Sequence, residues 1–321
     1  MHMADLLTYD SGQVRRETFS LDALRQARER GSRIWVDVSE QERDVLGSFE
    51  QAFGLHHLTI EDLTNLRTRI KIEDFDDYLF IILYSIRKSD HDIDLIELDF
   101  VIGNGFLITN HPGTLETFET IKQNNEKLAL LFKKGIDFLF HRLLDKEIDN
   151  FFPVLEQLDE EIETIEENVI AKATPELLRR IHVVKRQIAT IKHITLPQRE
   201  KIASLAKGEH TFISPACQIY FRDIYDHAIH VSDSIETYRE SASNTLDIYL
   251  TSVSNTMNEV MKILSIIATI ILPLSFVTGL YGMNFQTLPG AENPSGFWVL
   301  LLFMIAFSLL LVMFFRSKRW I

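Results

Sequence analysis

The sequence predicts an α+β cytoplasmic domain (a small sheet with packed helices), then a long α-helical stalk and two C-terminal transmembrane helices. Three observations carry this prediction. Strand-like runs alternate with short helical patterns up to about residue 112. Beyond that point proline and glycine become scarce over long stretches, and the last sixty or so residues hold two uncharged apolar runs. The average composition, 46% hydrophobic and 25% charged, conceals the division, because charges crowd the first three-quarters of the chain.

Residues 1–112 read as the N-terminal α/β domain. The runs 34–38, 78–86 and 95–102 have the β-branched and aromatic content of strands. Gly103-Asn104-Gly105 then turns the chain into a further run, 106–109, which predicts a hairpin. Helical patterns fall at 20–30 and 59–66.

After His111-Pro112-Gly113, residues 113–213 read as a cytoplasmic helical part. One helix is predicted over 114–134 and a second over 136–171. The second has an acidic face of Asp159, Glu160, Glu161, Glu163, Glu166 and Glu167. Thr174-Pro175-Glu176 places an N-cap threonine before a proline at the first helical position. The helix it opens is basic, through Arg179, Arg180, Lys185, Arg186 and Lys192. An acidic helix followed by a basic one predicts an antiparallel pair, and solvated bundle faces are the simplest account of the charges.

Ser214-Pro215 opens the stalk, residues 214–262. From Ala216 there is no proline until Pro273 and no glycine until Gly279, so a helix of roughly 90 Å is expected at 1.5 Å per residue. Residues 263–280 continue it without a charge and are just long enough to cross the hydrocarbon core. Residues 297–315 form the second such run. The connector, 281–296, has no Lys or Arg and one acid, Glu292. Lys262 precedes the first span, and Arg316, Lys318 and Arg319 lie in the basic tail, 316–321. The positive-inside bias then puts both termini in the cytoplasm and the connector outside, as in a multi-pass protein of the cell (inner) membrane. Trp298 and Trp320 fall where indoles favour the two interfaces.

Several classes are disfavoured. The N-terminus lacks the basic-then-apolar pattern of a cleaved signal. Cys217 is the one cysteine, which excludes an intrachain disulfide or a Cys-based zinc site and suits a reducing compartment. A net charge of −13 argues against a nucleic-acid partner and is most simply the solubility charge of an acidic domain. There is no phosphate-binding glycine loop, HExxH or nucleophile motif, so no enzyme is expected. Adjacent histidines on a helix diverge, so His56 and His57 read as surface or capping residues. His182 and His193 read as solvated, and Cys217 as packing.

The first span interleaves Ser265, Ala268, Thr269, Pro273, Ser275, Thr278 and Gly279 with its apolar residues. Small and hydroxyl residues suit close helix packing; they also suit a pore wall. Asn258, Met261, Ser265, Ala268, Leu272, Ser275 and Gly279 recur at three- and four-residue steps, along one helical stripe. Two spans cannot enclose an aqueous path, so a pore requires several copies around an axis. Gly282-Met283-Asn284 follows as the first span leaves the membrane. Mg2+ sheds water reluctantly, and a fast path should read the hydrated ion through neutral carbonyl groups, which Asn and exposed glycine backbone supply.

At this point the residues become recognisable. Asn258-Glu259-Val260-Met261-Lys262-Ile263-Leu264, Ile266-Ile267-Ala268-Thr269, Pro273-Leu274-Ser275-Phe276 and the stretch Gly279 to Phe285 containing Tyr281-Gly282-Met283-Asn284 resemble the CorA family of Mg2+ transporters. So do residues 220–227 and the end Lys318-Arg319-Trp320-Ile321. The resemblance covers the whole chain and is strongest after residue 216. It implies a funnel-shaped homopentamer in the lipid bilayer, with five copies of the first span around the pore. The implied activity is passage of divalent cations (Mg2+, with Co2+ and Ni2+ alongside), driven by membrane potential and gated by cytoplasmic Mg2+. Mg2+ is then both transported and regulatory.

Residue by residue, the resemblance makes Asn284 the selectivity asparagine, with Gly282 and Met283 shaping its loop. Asn258 becomes a polar ring, with Met261 beside it on the pore stripe. Leu264 and Leu272 match a hydrophobic constriction, and Ser275 and Gly279 lie further along. Asp223 matches the carboxylate of an inter-subunit regulatory Mg2+ site, and Asp247 a second acidic position on the stalk. The partner of Asp223 is expected from a neighbouring N-terminal domain, at Asp90 or else at Asp92 or Asp94.

Two departures stand out. Leu272 occupies a position where methionine is common, a volume-conserving change. Leu288-Pro289-Gly290 lacks the acid that many relatives carry after Met-Pro, and Gln286 is neutral, which leaves Glu292 as the substitute. The alternatives are the zinc-transporting ZntB branch, whose loop departs from Gly-Met-Asn, and a membrane-tethered cation sensor.

Overall fold

The computed structural model describes residues 4–39, 43–65, 68–88, 93–284, 288–290 and 293–320. It divides into two units, residues 1–167 with 175–246, and residues 168–174 with 247–321.

In the first unit the chain begins with a hairpin of β1 (Ala4–Asp10) and β2 (Gln13–Thr18). Its two-residue turn puts Ser11 and Gly12 at φ 51° and 86°, the left-handed pair that matches the twist of a hairpin. There follow α1 (Leu21–Glu29), β3 (Arg33–Val38), α2 (Arg43–Phe53), α3 (His57–Thr64), β4 (Lys71–Asp74), β5 (Tyr78–Lys88), β6 (Ile93–Gly103) and β7 (Phe106–Asn110). The strands make one sheet in the order β2-β1-β3-β7-β6-β5-β4. Only β3 and β7 run parallel; every other pairing is antiparallel. The predicted hairpin turns at Gly103–Phe106.

The sheet is buried on both faces, which is why its central strands read as near-continuous apolar runs. One face packs Val36, Phe80, Ile82, Val101 and Ile108 against Leu24, Ala27, Leu46, Phe49, Phe53 and Leu63 of α1–α3. On the other, Trp35 and Phe100 meet Phe118 and Phe140.

The sheet is larger than predicted, because β1, β2 and β4 join it, and the helix α2 is likewise additional to the prediction. The predicted helix over 114–134 is two, α4 (Glu116–Gln123) and α5 (Asn125–Lys134). Asn124 breaks it by accepting from the Lys127 amide at 3.0 Å as an N-cap. The predicted helix over 136–171 is likewise α6 (Ile136–Asp149) and α7 (Phe151–Ala171). Pro153 has no N–H to offer the Asp149 carbonyl, which interrupts the ladder there. α8 (Pro175–Lys207) and α9 (Pro215–Tyr281) follow, α9 being a 67-residue helix with Pro273 inside it. Arg180 of α8 approaches Glu161 of α7 at 3.5 Å, and Ile162, Ile165, Ile181, Val184, Ala242 and Thr245 line one small void between α7, α8 and α9.

Two contacts fasten helices to the rest of this unit. Beyond the short strand β4, the edge of β5 is capped by Gln198, whose amide accepts from Tyr84 N at 2.7 Å and donates to Tyr84 O at 3.0 Å. That satisfies an edge that would otherwise invite another strand. Asp137, buried at the start of α6, accepts from the Ser214 amide at 3.0 Å and from its hydroxyl at 2.5 Å, fixing the entry to α9. Cys217 is buried there, and burial pushes its thiol pKa up. His56 caps α3 through Nδ1, 3.2 Å from Leu58 N. The His56 and His57 rings do not diverge; their centroids are 4.5 Å apart, because His56 stands outside the helix in extended backbone. His182 and His193 are exposed.

The second unit holds the C-terminal half of α9 and α10 (Gly296–Ser317).

Candidate functional site

The predicted pore residues all lie on α9. Asn258, Met261, Leu264, Ser265, Leu272, Ser275 and Gly279 are exposed and Ala268 is half-buried. At 100° per residue these positions fall within about 120° of one another, with Leu264 at the edge of the stripe. The hydroxyls of this segment are satisfied along the helix itself. Thr269 donates to Ser265 O at 2.7 Å and Thr278 to Ser275 O at 3.0 Å, which allows such residues to sit in an apolar medium.

The helix ends where the signature begins. Gly282 N donates to Thr278 O at 2.9 Å and Met283 N to Leu280 O at 3.4 Å. A Cβ on Gly282 would stand 3.1 Å from Thr278 O, closer than most side chains tolerate. Asn284 is exposed. Tyr281 donates its hydroxyl to Pro289 O at 3.1 Å, tying the helix end to the far side of the loop. At the start of α10 a Cβ on Gly296 would meet Gly290 O at 2.1 Å, so that position admits only glycine without rearrangement. The roles of Tyr281 and Gly296 depend on contacts eight and six residues away; Tyr281 stood out in the sequence only as part of the signature, and Gly296 did not. Gln286 and Glu292 lie outside the described residues.

Both candidate spans leave their most apolar stretches almost uncovered, 6% buried in α9 and not at all in α10. A soluble core helix would be covered. Phe315 stacks on Trp320 at 5.7 Å, and Lys262 Nζ donates to Arg319 O at 3.2 Å, so the basic residues bracketing the two spans meet at one end of this unit.

Asp223 and Asp247 are exposed on α9. Asp90 and Asp92 lie outside the described residues; Asp94 is exposed on β6, in register with Arg87. Two further groups bring potential metal ligands within 4.8 Å of one another. Asp145 and Asp149 on α6 meet His227 on α9, with His227 Nδ1 3.3 Å from Asp149. This is a carboxylate–imidazole set that suits a divalent cation. Asp149 also pairs with Lys146 at 2.5 Å.

The other group, Asp5, Asp37 and Glu119, is already filled. Lys122 Nζ lies 2.9, 2.5 and 2.6 Å from the three carboxylates. Asp37 is 1% exposed and also accepts from Thr109 and faces His111 Nε2 at 3.2 Å. Burial works to raise the Asp37 pKa, but His111 and Lys122 outweigh it and hold the carboxyl well below the usual range. Neither group was legible in the sequence, because each joins residues from distant elements.

An α/β unit with helices on both sheet faces, a helix of 67 residues and two uncovered apolar helices define a two-span α-helical membrane protein. Within that class, residues 31–319 match the family model described as CorA-like Mg2+ transporter protein, and the chain belongs to that family. It is 32% identical to the cobalt/magnesium transport protein CorA of Thermotoga maritima, over 99% of this chain and 92% of that one. It is 26% identical to the protein of the same name from Methanocaldococcus jannaschii, over 90% and 91%. Among solved structures, the complete CorA magnesium transporter from Methanocaldococcus jannaschii superposes with a TM-score of 0.83 at 23% identity, over 99% of both chains. The ZntB cytoplasmic domain from Vibrio parahaemolyticus gives 0.64 at 15%, over 79% of this chain and all of that one. At those identities the two structures speak to the fold.

Proposed function

We propose that the protein is a homopentameric divalent-cation channel that admits Mg2+, and also Co2+ and Ni2+, down the membrane potential and closes as cytoplasmic Mg2+ rises. The observation that carries this reading is the family match, which runs without interruption through the exposed α9 stripe and into Gly282-Met283-Asn284. Five copies of α9 would surround the path. Asn284 reads the hydrated ion, with Gly282 and Met283 placing it, and Asn258 and Met261 line the cytoplasmic end. Leu264 and Leu272, with side chains turned to the axis, form an apolar constriction that gates by dewetting. Ser275 and Gly279 leave the path wider beyond it.

The driving force is adequate. A divalent ion gains about 4.6 kcal/mol per 100 mV of inside-negative potential. Both termini and the first unit are cytoplasmic in this reading, and the connector is external. Regulation rests on Asp223 and Asp247 of α9, with Asp90 of a neighbouring copy as the partner of Asp223. Bound Mg2+ holds opposed carboxylates together, and its loss leaves like charges repelling, which favours the open state.

The test is uptake of Mg2+ and Zn2+ in parallel into inside-negative proteoliposomes with internal Mg2+ chelated, for the wild type and Asn284→Ala. Potential-driven Mg2+ entry that the substitution abolishes supports the reading. Zn2+ entry without Mg2+ entry moves the protein to the zinc branch, and flux of neither ion leaves a tethered sensor.

A further inference from the structure

Beneath α3, on the face of the sheet that carries the main core, the first unit buries three side chains with oxygen atoms that lack a donor. Glu97 and Asp99 lie two residues apart on β6 and so share a face of the sheet. Asn110 on β7 stands opposite Asp99 in the strand register. The three are 4%, 2% and 0% exposed. Asn110 Nδ2 donates to Asp99 Oδ2 at 2.7 Å and to Leu63 O at 3.0 Å, which fixes its amide orientation. Glu97 Oε2 accepts from Thr68 N at 2.8 Å and from the Tyr84 hydroxyl at 2.9 Å. The remaining oxygens, Glu97 Oε1, Asp99 Oδ1 and Asn110 Oδ1, are buried with no hydrogen-bond partner among the described residues.

Two buried carboxylates require a counter-charge, since a buried ion without one costs several kcal/mol. Among the described residues Lys71 is the cation whose charge acts on Asp99, and its ammonium is engaged by Asp62 at 2.6 Å and Glu73 at 2.9 Å. One proton cannot serve all three oxygens: shared between Glu97 and Asp99 it leaves the Asn110 carbonyl bare, and donated from Asp99 Oδ1 to Asn110 Oδ1 it leaves Glu97 Oε1 bare. A small cation ligated by all three would satisfy them together. Carboxylate and amide oxygens, with no sulfur or imidazole among them, are the donor set of a hard divalent ion of the Mg2+ or Mn2+ type.

We propose that Glu97, Asp99 and Asn110 form a binding site for one hard divalent cation, held within a single chain and joining β6 to β7 under α3. The site is separate from the path along α9 and from the acids at Asp223 and Asp247, so it stands whether or not the channel reading does. Its cation is structural: it ties β6 and β7, which meet at the Gly103–Phe106 turn, to the helix above them.

The experiment uses the full chain purified in detergent, stripped with chelator and reloaded with Mn2+ as the probe. Anomalous scattering at the Mn edge locates the ion, and the rise in melting temperature with Mn2+ is followed in parallel. The expected result is an anomalous peak among Glu97, Asp99 and Asn110 and a melting temperature that climbs with Mn2+. Asp99→Asn, which keeps the shape, and Glu97→Gln should each weaken that response at least about tenfold in Mn2+ concentration. Absence of a peak at saturating Mn2+ in well-folded protein overturns the proposal. So does an Asp99→Asn variant that melts higher without metal and keeps the wild-type Mn2+ response, the outcome of a shared proton.

Discussion

Replacing Lys122 by methionine removes an ammonium that is 2% exposed and lies within 3 Å of three carboxylates. The partners do not suffer equally. Asp5 and Glu119 are 17% and 30% exposed and keep Arg16 at 2.8 and 3.6 Å, so water and the guanidinium take over much of what Lys122 supplied. Asp37 is left buried with the His111 ring at 3.2 Å and the Thr109 hydroxyl as its remaining partners. Stranding one buried charge costs about 3–5 kcal/mol. In a unit of this size that lowers the melting temperature by roughly 6–20 °C. The assay is thermal unfolding of the full chain in detergent, followed by circular dichroism and by the emission of Trp35, which is fully buried beside Lys122 at 5.9 Å.

The pH dependence tests the cause. The folded-state pKa of Asp37 is depressed, so its contribution is present above the ordinary carboxylate value and is lost as pH falls through the depressed one. In the variant, burial acts on Asp37 with less opposition, the carboxyl takes up a proton at mildly acid pH, and the gap to wild type narrows. Adding Asp37→Asn to the variant should recover most of the loss. A drop of less than about 3 °C at neutral pH, or a gap that is unchanged on acidification, would refute this account of the cluster.

Other perturbations test other parts of the molecule. Gln198→Leu strips both partners from the Tyr84 backbone and should cost about 2–3 kcal/mol, read as a lower melting temperature and faster hydrogen exchange at the Tyr84 amide. Leu272→Asn would hydrate the proposed constriction and should raise Mg2+ entry into proteoliposomes that contain Mg2+; unchanged flux would remove Leu272 from the proposed gate. Asp223→Ala should raise the internal Mg2+ needed for half-closure by about fivefold or more, and an unaltered inhibition curve would take that carboxylate out of the regulatory site.

What could be read in advance followed the range of the interactions. The stripe from Asn258 to Gly279 was legible because helical periodicity is local, and α9 obeys it over its whole length. Strands β3, β5, β6 and β7 were legible because burial on both faces makes them largely apolar. β2, with Arg15, Arg16 and Glu17 at the sheet edge, has no such pattern and is a strand because β1 pairs with it. The breaks at Asn124 and Asn150 were missed because capping and a missing proline N–H act over three or four residues inside otherwise helical text. The groups around Lys122 and Asp99 were invisible for a plainer reason. Their members come together only through the register of strands and the docking of α3, α4 and α6.

The parallel pairing of β3 with β7 also has a consequence for how the protein is made. About seventy residues separate the two strands, and closing a loop of that length costs roughly 4 kcal/mol of chain entropy before any contact forms. The meander β5-β6-β7 forms from neighbours and can offer a template for β3 to join. At about 5–20 residues per second the ribosome needs some 8–30 s between finishing β7 and finishing the stretch that precedes the first span, whereas mixed sheets close in milliseconds to seconds. The sheet is therefore complete before any apolar span requires a bilayer. A substitution that delays the β3–β7 closure would present bare strand edges during that interval, and its harm would be felt during synthesis, before a single ion had crossed.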